Sequence, residues 1–282
     1  MEDFSGKLAV ITGGSSGIGF STAQILARQG CHVVILARRV EQLNQALEAL
    51  QDSKAQPNQR IESKSVNVAD WDATQKTFAE IEKTLGTPDI LINSAGVTRP
   101  GMFDEQEINI FRDMMEINYF GTLYPIKAVL PGMLKRGSGH ITLISSVAGF
   151  AGIYGYAAYG ASKYAVVGLA DVLRVELKPR NIHLSLVFPP DTNTPQLAGE
   201  EQYKPALTKA LSESNARVLE PETVAEKIVD AIRRNKYLVL PPGETRLLYG
   251  LVSTLGLWRY PIMDMFLADA AKKMRKQKNK AK

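Results

Sequence analysis

Cysteine is nearly absent from this chain: Cys31 stands alone among 282 residues. One thiol excludes an internal disulfide and fits a reducing compartment. Its place in an apolar run predicts a packed thiol rather than a reactive one. Histidine is scarce too. His32, His140 and His183 stand apart and match no metal-ligand spacing, so no metal site is expected. Long hydrophobic runs are missing as well. The stretch 247–258 offers twelve uncharged residues, short of the ~20 that a membrane-spanning helix needs. Residues 1–7 hold no apolar signal region, and neither an internal repeat nor an interdomain linker is visible.

Acid is missing from the last eleven residues, which carry seven basic side chains between Lys272 and Lys282. That tail accounts for the net charge of +5, and the body is close to neutral. With no recognition motif or interleaved aromatic patch, nucleic acid binding is not expected.

What is present is an alternation of short β-branched runs and longer helical segments, the pattern of βαβ units around a parallel sheet. Strands are expected at 7–12, 32–37, 61–66, 90–93, 140–145, 183–188 and 237–240. Helices are expected at 17–29, 40–51, 70–85, 105–135, 159–177 and 222–234. Seven strands with intervening helices make one α/β, doubly wound domain over 1–243. Residues 189–220 read as a long connection able to cover a substrate, and 244–282 as a C-terminal amphipathic and basic helical extension.

The first strand runs into Thr12-Gly13-Gly14-Ser15-Ser16-Gly17-Ile18-Gly19. A dinucleotide needs a tight turn without Cβ atoms, then a helix N-terminus aimed at its pyrophosphate. Gly13, Gly17 and Gly19 supply that room. The second strand ends at Ala37, where an acid would bind a ribose 2′-hydroxyl, and Arg38 and Arg39 follow. Their planar forks suit a 2′-phosphate, which predicts NADPH, with Arg38 as the main contact.

Tyr159 and Lys163 stand four residues apart, on one helical face. Hydride addition to a ketone leaves negative charge on oxygen, so a proton donor must be at hand. A free phenol, with a pKa of about 10, is a poor proton carrier at neutral pH. A neighbouring ammonium, together with an oxidised nicotinamide ring, is expected to lower that value. Ser146, thirteen residues before Tyr159, could hold the substrate oxygen. Ser145 competes for this role, and strand alternation sends the two side chains to opposite faces.

Together, residues 12–19, Asn93-Ser94-Ala95-Gly96, Asn118 within 117–121, Ser146 and the Tyr159–Lys163 pair resemble, in order, the motifs of the short-chain dehydrogenase/reductase family. The resemblance covers roughly 5–240 and implies a Rossmann-type fold. It also implies catalytic roles for Ser146, Tyr159 and Lys163, with Lys163 on the nicotinamide ribose and Asn118 ordering a proton-relaying water. Gly13, Ser15, Ser16, Gly17, Ile18, Gly19, Arg38 and Arg39 would contact cofactor. So would Asn67 and Val68 near adenine, with Asn93, Ala95 and Gly96. At position 67 the family more often carries Asp.

After the sixth strand the family usually has Pro-Gly. Here the run is Pro189-Pro190-Asp191-Thr192-Asn193-Thr194-Pro195, which resembles the family's 3-oxosphinganine-reducing branch. Pro189, Thr192 and Thr194 would then meet the cofactor. The implied reaction is NADPH-dependent reduction of 3-oxosphinganine to sphinganine. The alternatives are another apolar ketone, such as a 3-oxoacyl thioester or a steroid, or a non-catalytic NADPH-binding protein, against which the intact Ser–Tyr–Lys set argues. The resemblance further implies a homo-oligomer. Leu247, Leu248, Leu251, Val252 and Leu255 form an apolar helical face, followed by Leu257, Trp258, Tyr260, Ile262, Met263, Met265 and Phe266. That segment suits either an anionic membrane surface or the covering of a core. Residues 278–282 resemble an endoplasmic-reticulum retrieval signal, which counts in a eukaryotic host with the tail in the cytosol; the expected location is the cytoplasm or the cytosolic face of a membrane, that of the endoplasmic reticulum in a eukaryote.

Overall fold

The apolar runs become seven parallel strands in one sheet, ordered β3-β2-β1-β4-β5-β6-β7. This is seen in a computed structural model that describes residues 3–215, 218–241, 244–258, 260, 261, 264, 265 and 268. The strands are β1 Leu8–Thr12, β2 His32–Ala37, β3 Ile61–Ser65, β4 Ile90–Asn93, β5 Gly139–Ile144, β6 Ile182–Val187 and β7 Leu238–Val239. The sheet reverses direction of growth at β1 and β4, which pair in register from Ala9↔Ile90 to Thr12↔Asn93. Doubly wound sheets bind ligands at that switch, beyond the carboxyl ends of the strands.

Alternation along β1 shows why these runs form covered strands. Leu8 and Val10 enter a core with Phe78, Ile126 and Val166 on one face. Ala9 and Ile11 enter the other, with Leu26, Leu43 and Ile228. Both faces are dry, and each fully buried Ile or Leu contributes about 1.5–3 kcal/mol. Helices α1 Gly17–Arg28, α2 Val40–Gln51 and α9 Pro221–Arg233 supply the second core. Helices α3 Trp71–Leu85, α5 Gly121–Arg136 and α6 Ala157–Leu177 supply the first. Asp70 caps α3 by accepting from Ala73 N, and Pro221 opens α9 where no N–H is needed.

Two expectations need correction. The helix expected over 105–135 is interrupted: α4 Ile108–Met114 leads into a π turn, Met115–Phe120, and only then into α5. Within this wider turn the Asn118 carbonyl takes a hydrogen bond from Thr122 Oγ1 at 2.7 Å. The connection 189–220 carries two helices of its own, α7 Pro195–Glu200 and α8 Ala206–Asn215. Thr194 caps α7 by accepting from Leu197 N, with Pro195 at the first helical position.

Cys31 is packed as expected. Its thiol donates to Phe4 O, and burial pushes its pKa up to about 12. His140 is structural, paired with Ser185 at 2.9 Å and pushed down by burial to about 3. Helix α10, Glu244–Leu255, turns Leu248, Tyr249 and Val252 onto the first core. Tyr249 meets Phe150 and Phe188 edge-on or tilted, with ring centroids 5.0 and 5.6 Å away. Leu247, Leu251, Leu257 and Trp258 stay exposed. The basic tail and Ile262, Met263 and Phe266 lie outside the described residues.

Candidate active site

A cavity of about 1070 Å³ opens at the sheet's switch point, beyond the carboxyl ends of the strands. At one end it is lined by Gly13, Ser15, Ser16, Gly17 and Ile18. Gly13 has φ +64°, and a Cβ there would stand 2.7 Å from the Ala95 backbone nitrogen. Gly17 has φ +55°, and a Cβ there would press on Thr194 Cγ2 at 2.9 Å. Only glycine accepts both the left-handed backbone and the contact. Ser16 caps α1 without a side-chain hydrogen bond. The first-turn N–H groups of α1 therefore face the cavity free of a cap, as an anion requires. The residues present fit a dinucleotide pyrophosphate.

Ala37, Arg38, Arg39, Asn67, Val68, Ala95, Gly96, Pro189, Thr192 and Thr194 line the same cavity. Arg38 and Arg39 are exposed, and no ion pair engages either guanidinium among the described residues. Ser65 Oγ fixes the Arg38 carbonyl at 3.0 Å, which anchors the backbone beneath both.

Three residues expected at the site stand behind its wall. Gly19 lies inside α1, where a Cβ would meet Gly13 O at 2.5 Å; its smallness lets the helix pack under the turn. Asn93 is buried in β4 and donates to Thr142 O at 3.4 Å. That contact joins neighbouring strands and leaves the side chain out of the cavity. Asn118 is fully buried. Its Oδ1 accepts from Val97 N at 2.8 Å, and its Nδ2 donates to Val97 O and to Ser162 Oγ. It thereby pins the loop after β4 to α6.

Tyr159 and Lys163 project from α6 into the cavity one turn apart, 9% and 5% exposed. Lys163 Nζ lies 5.6 Å from the Tyr159 ring centroid and donates to Ile144 O at 3.0 Å. Both serines line the cavity, and their hydroxyls differ in what they bind. Ser145 Oγ turns inward to donate to Lys163 O at 3.1 Å. Ser146 lines the cavity and caps the short helical turn after β5 by accepting from Ala148 N.

Burial dominates the electrostatics of the pair. Burial pushes the Tyr159 phenol above its ordinary value. The hydrogen bond from Ser146 pulls the other way, and the charges of Glu200 and Asp191 push it up further. Burial also lowers Lys163, to about 8. Desolvation disfavours both charged forms, which favours the neutral phenol. A neutral phenol is the form that gives a proton.

Sequence reasoning missed the residues beyond Tyr159. Tyr156 Oη donates to Glu200 Oε1 at 2.8 Å, and Lys204 Nζ approaches the same oxygen at 3.3 Å. Burial raises both the Tyr156 phenol and the Glu200 carboxyl above their usual values. Glu200 and Asp191 line the cavity. No spacing rule marks them, because α7 and Tyr156 meet only in the folded chain.

Residues 7–204 match the family model described as short chain dehydrogenase. A 3-ketodihydrosphingosine reductase of Mus musculus is 40% identical over 232 residues, 82% of this chain and 70% of that protein. Its namesake in Dictyostelium discoideum is 35% identical over 277 residues, 93% of this chain and 83% of the other. Among solved structures, a short chain dehydrogenase/reductase from Burkholderia phymatum in complex with NAD superposes with a TM-score of 0.76 at 25% identity. That match covers 85% of this chain and 90% of the other. Glycine turn, switch-point cavity and Ser–Tyr–Lys set thus occur in a chain that matches over most of its length, and it belongs to the short chain dehydrogenase family of oxidoreductases.

Proposed function

We propose that this chain reduces the ketone of 3-oxosphinganine to the alcohol of sphinganine, using NADPH. The observation that carries the chemistry is the neutral Tyr159 phenol beside Ser146 and Lys163 at the wall of one cavity. The substrate reading is supported by the relatives named as 3-ketodihydrosphingosine reductases. A bound nicotinamide dinucleotide supplies the hydride. Ser146 Oγ and Tyr159 Oη hold the carbonyl oxygen, and Tyr159 gives it the proton as charge develops there. Lys163 places a positive charge near the forming phenolate and reaches toward the ribose. Asn118 acts as a positioning residue, fixing Val97 on the cavity wall against α6.

Purified protein supplied with NADPH is expected to turn over 3-oxosphinganine in preference to 3-oxoacyl thioesters and steroid ketones. No turnover under saturating cofactor would sink the substrate reading. Arg38→Asp should shift the kcat/KM preference from NADPH toward NADH by about 100-fold, since a charge-assisted phosphate contact is replaced by repulsion. Competing-cofactor kinetics check this, and an unchanged preference would remove Arg38 from the role.

Lys163 sets the alkaline limit. Its pKa is lowered to about 8, so the ammonium is present below that pH and lost above it. The kcat/KM for reduction should therefore be level on the acid side and decline roughly tenfold per pH unit beyond about 8. A profile still flat at pH 9 would contradict this.

Contact with the cytosolic face of a membrane is part of the same proposal, through the exposed Leu247, Leu257 and Trp258. No described helix is long and apolar enough to cross a bilayer.

A further inference from the structure

The reacting oxygen's neighbours would lie against an acidic wall. Apart from Lys163 and the Arg38–Arg39 pair, the charged residues lining the cavity are Asp191 and Glu200. Glu200 is already engaged by Tyr156 and Lys204. Asp191 is different. It is half-buried, and no hydrogen bond or ion pair engages its carboxylate among the described residues. Its charge nevertheless bears on the hydroxyls of Tyr159 and Tyr156 and on Lys204.

The backbone holds Asp191 in that place. Leu219 N donates to Asp191 O at 2.9 Å, and Asn193 N donates to Leu219 O at 2.8 Å. Thr192 Oγ1 closes the turn onto Pro190 O at 2.8 Å. Pro189 and Pro190 fix two φ angles just ahead of it. A carboxylate kept partly from water without a partner is costly, and a cation that completes it recovers that cost.

We infer that Asp191 recognises an ammonium group on the carbon next to the reacting ketone, and so selects α-amino ketones. This rests on the functional reading above. Tyr159 and Ser146 fix the carbonyl oxygen, and an amine one carbon away then lies within the same cavity that Asp191 lines. Such an amine neighbours a carbonyl carbon as a chain N-terminus does, where the pKa is about 7.7–8.0. It is therefore largely cationic at neutral pH. Burial favours its neutral form unless a carboxylate is present, and Asp191 supplies one. The other charges of the region are Lys163, whose ammonium donates to Ile144 O at 3.0 Å, and Glu200, Glu201 and Lys204, with Lys204 paired to both glutamates at 3.3 and 3.1 Å.

The test compares two ketones of equal chain length, 3-oxosphinganine and the same molecule without its amine, in the full chain and in Asp191→Asn. The substitution keeps shape and removes charge. The kcat/KM ratio of amino ketone to des-amino ketone is expected to fall about 10- to 100-fold, mainly through KM, as for a lost charge-assisted hydrogen bond. Asp191→Glu should restore part of that ratio. Equal losses on both ketones, or an unmoved ratio, would overturn the inference while leaving the functional reading intact. A wild-type enzyme that reduces only the des-amino ketone would overturn the functional reading, and this inference with it.

Discussion

Replacing Tyr159 by Phe is expected to lower kcat for ketone reduction by about 10²–10⁴-fold while dinucleotide binding persists. That range is the usual contribution of a positioned general acid. The substitution removes one hydroxyl and keeps the ring, which is packed edge-on against Tyr156 with centroids 5.9 Å apart. The glycine turn is untouched, so affinity for cofactor should hold. Ser146 cannot take over, because an aliphatic hydroxyl is a far weaker acid than a phenol. Single-turnover hydride transfer, paired with a fluorescence titration of the dinucleotide, separates chemistry from binding. Turnover near the wild-type rate would refute the assignment of Tyr159 as acid.

The second large effect concerns the turn itself. Gly13→Val places a branched side chain at φ +64°, with its Cβ less than 3 Å from the Ala95 nitrogen and Cα and from the Ser94 carbonyl carbon. These are backbone atoms and cannot swing aside. A left-handed conformation costs about 1–2 kcal/mol, and overpacking adds about 1–3 kcal/mol. For a chain of this size that predicts a Tm lower by roughly 5–15 °C. Dinucleotide affinity should fall as well, because the turn would move off the cap-free start of α1. Thermal unfolding and equilibrium binding measure both. A variant with unchanged Tm and affinity would show that the turn accommodates a side chain and that glycine is not required there.

Much of this site was legible from residue order. The strands fell within about one residue of expectation because both faces are buried and β-branched runs end at turn signals. The glycine turn, Arg38 and the Tyr159–Lys163 pair all reach one cavity, since local spacing and helical period decide where they point. Other features needed the folded chain. The π turn at 115–120 leaves no periodic trace, because one extra residue in a turn is invisible among Met, Ile and Phe. The sign of the Tyr159 shift depends on desolvation, which sequence does not display. Glu200 reaches the cavity on the helix that Thr194 opens, and Asp191 through the backbone pairing with Leu219. Gly19, Asn93 and Asn118 carry motif positions yet hold up the wall rather than form it.

The strand order has a consequence for how the molecule comes into being. Every pairing in the sheet is parallel, and β1 must find β4 with the whole of β2, β3 and their helices looped out between them. Such long closures are entropically slow, and they leave strand edges bare while they wait. The turn after β1 and the Asp191 loop after β6 come from opposite halves of the chain, yet both line one cavity. The complete cavity exists only once both halves have paired, and a dinucleotide bound across it would act as a clasp that favours the completed sheet.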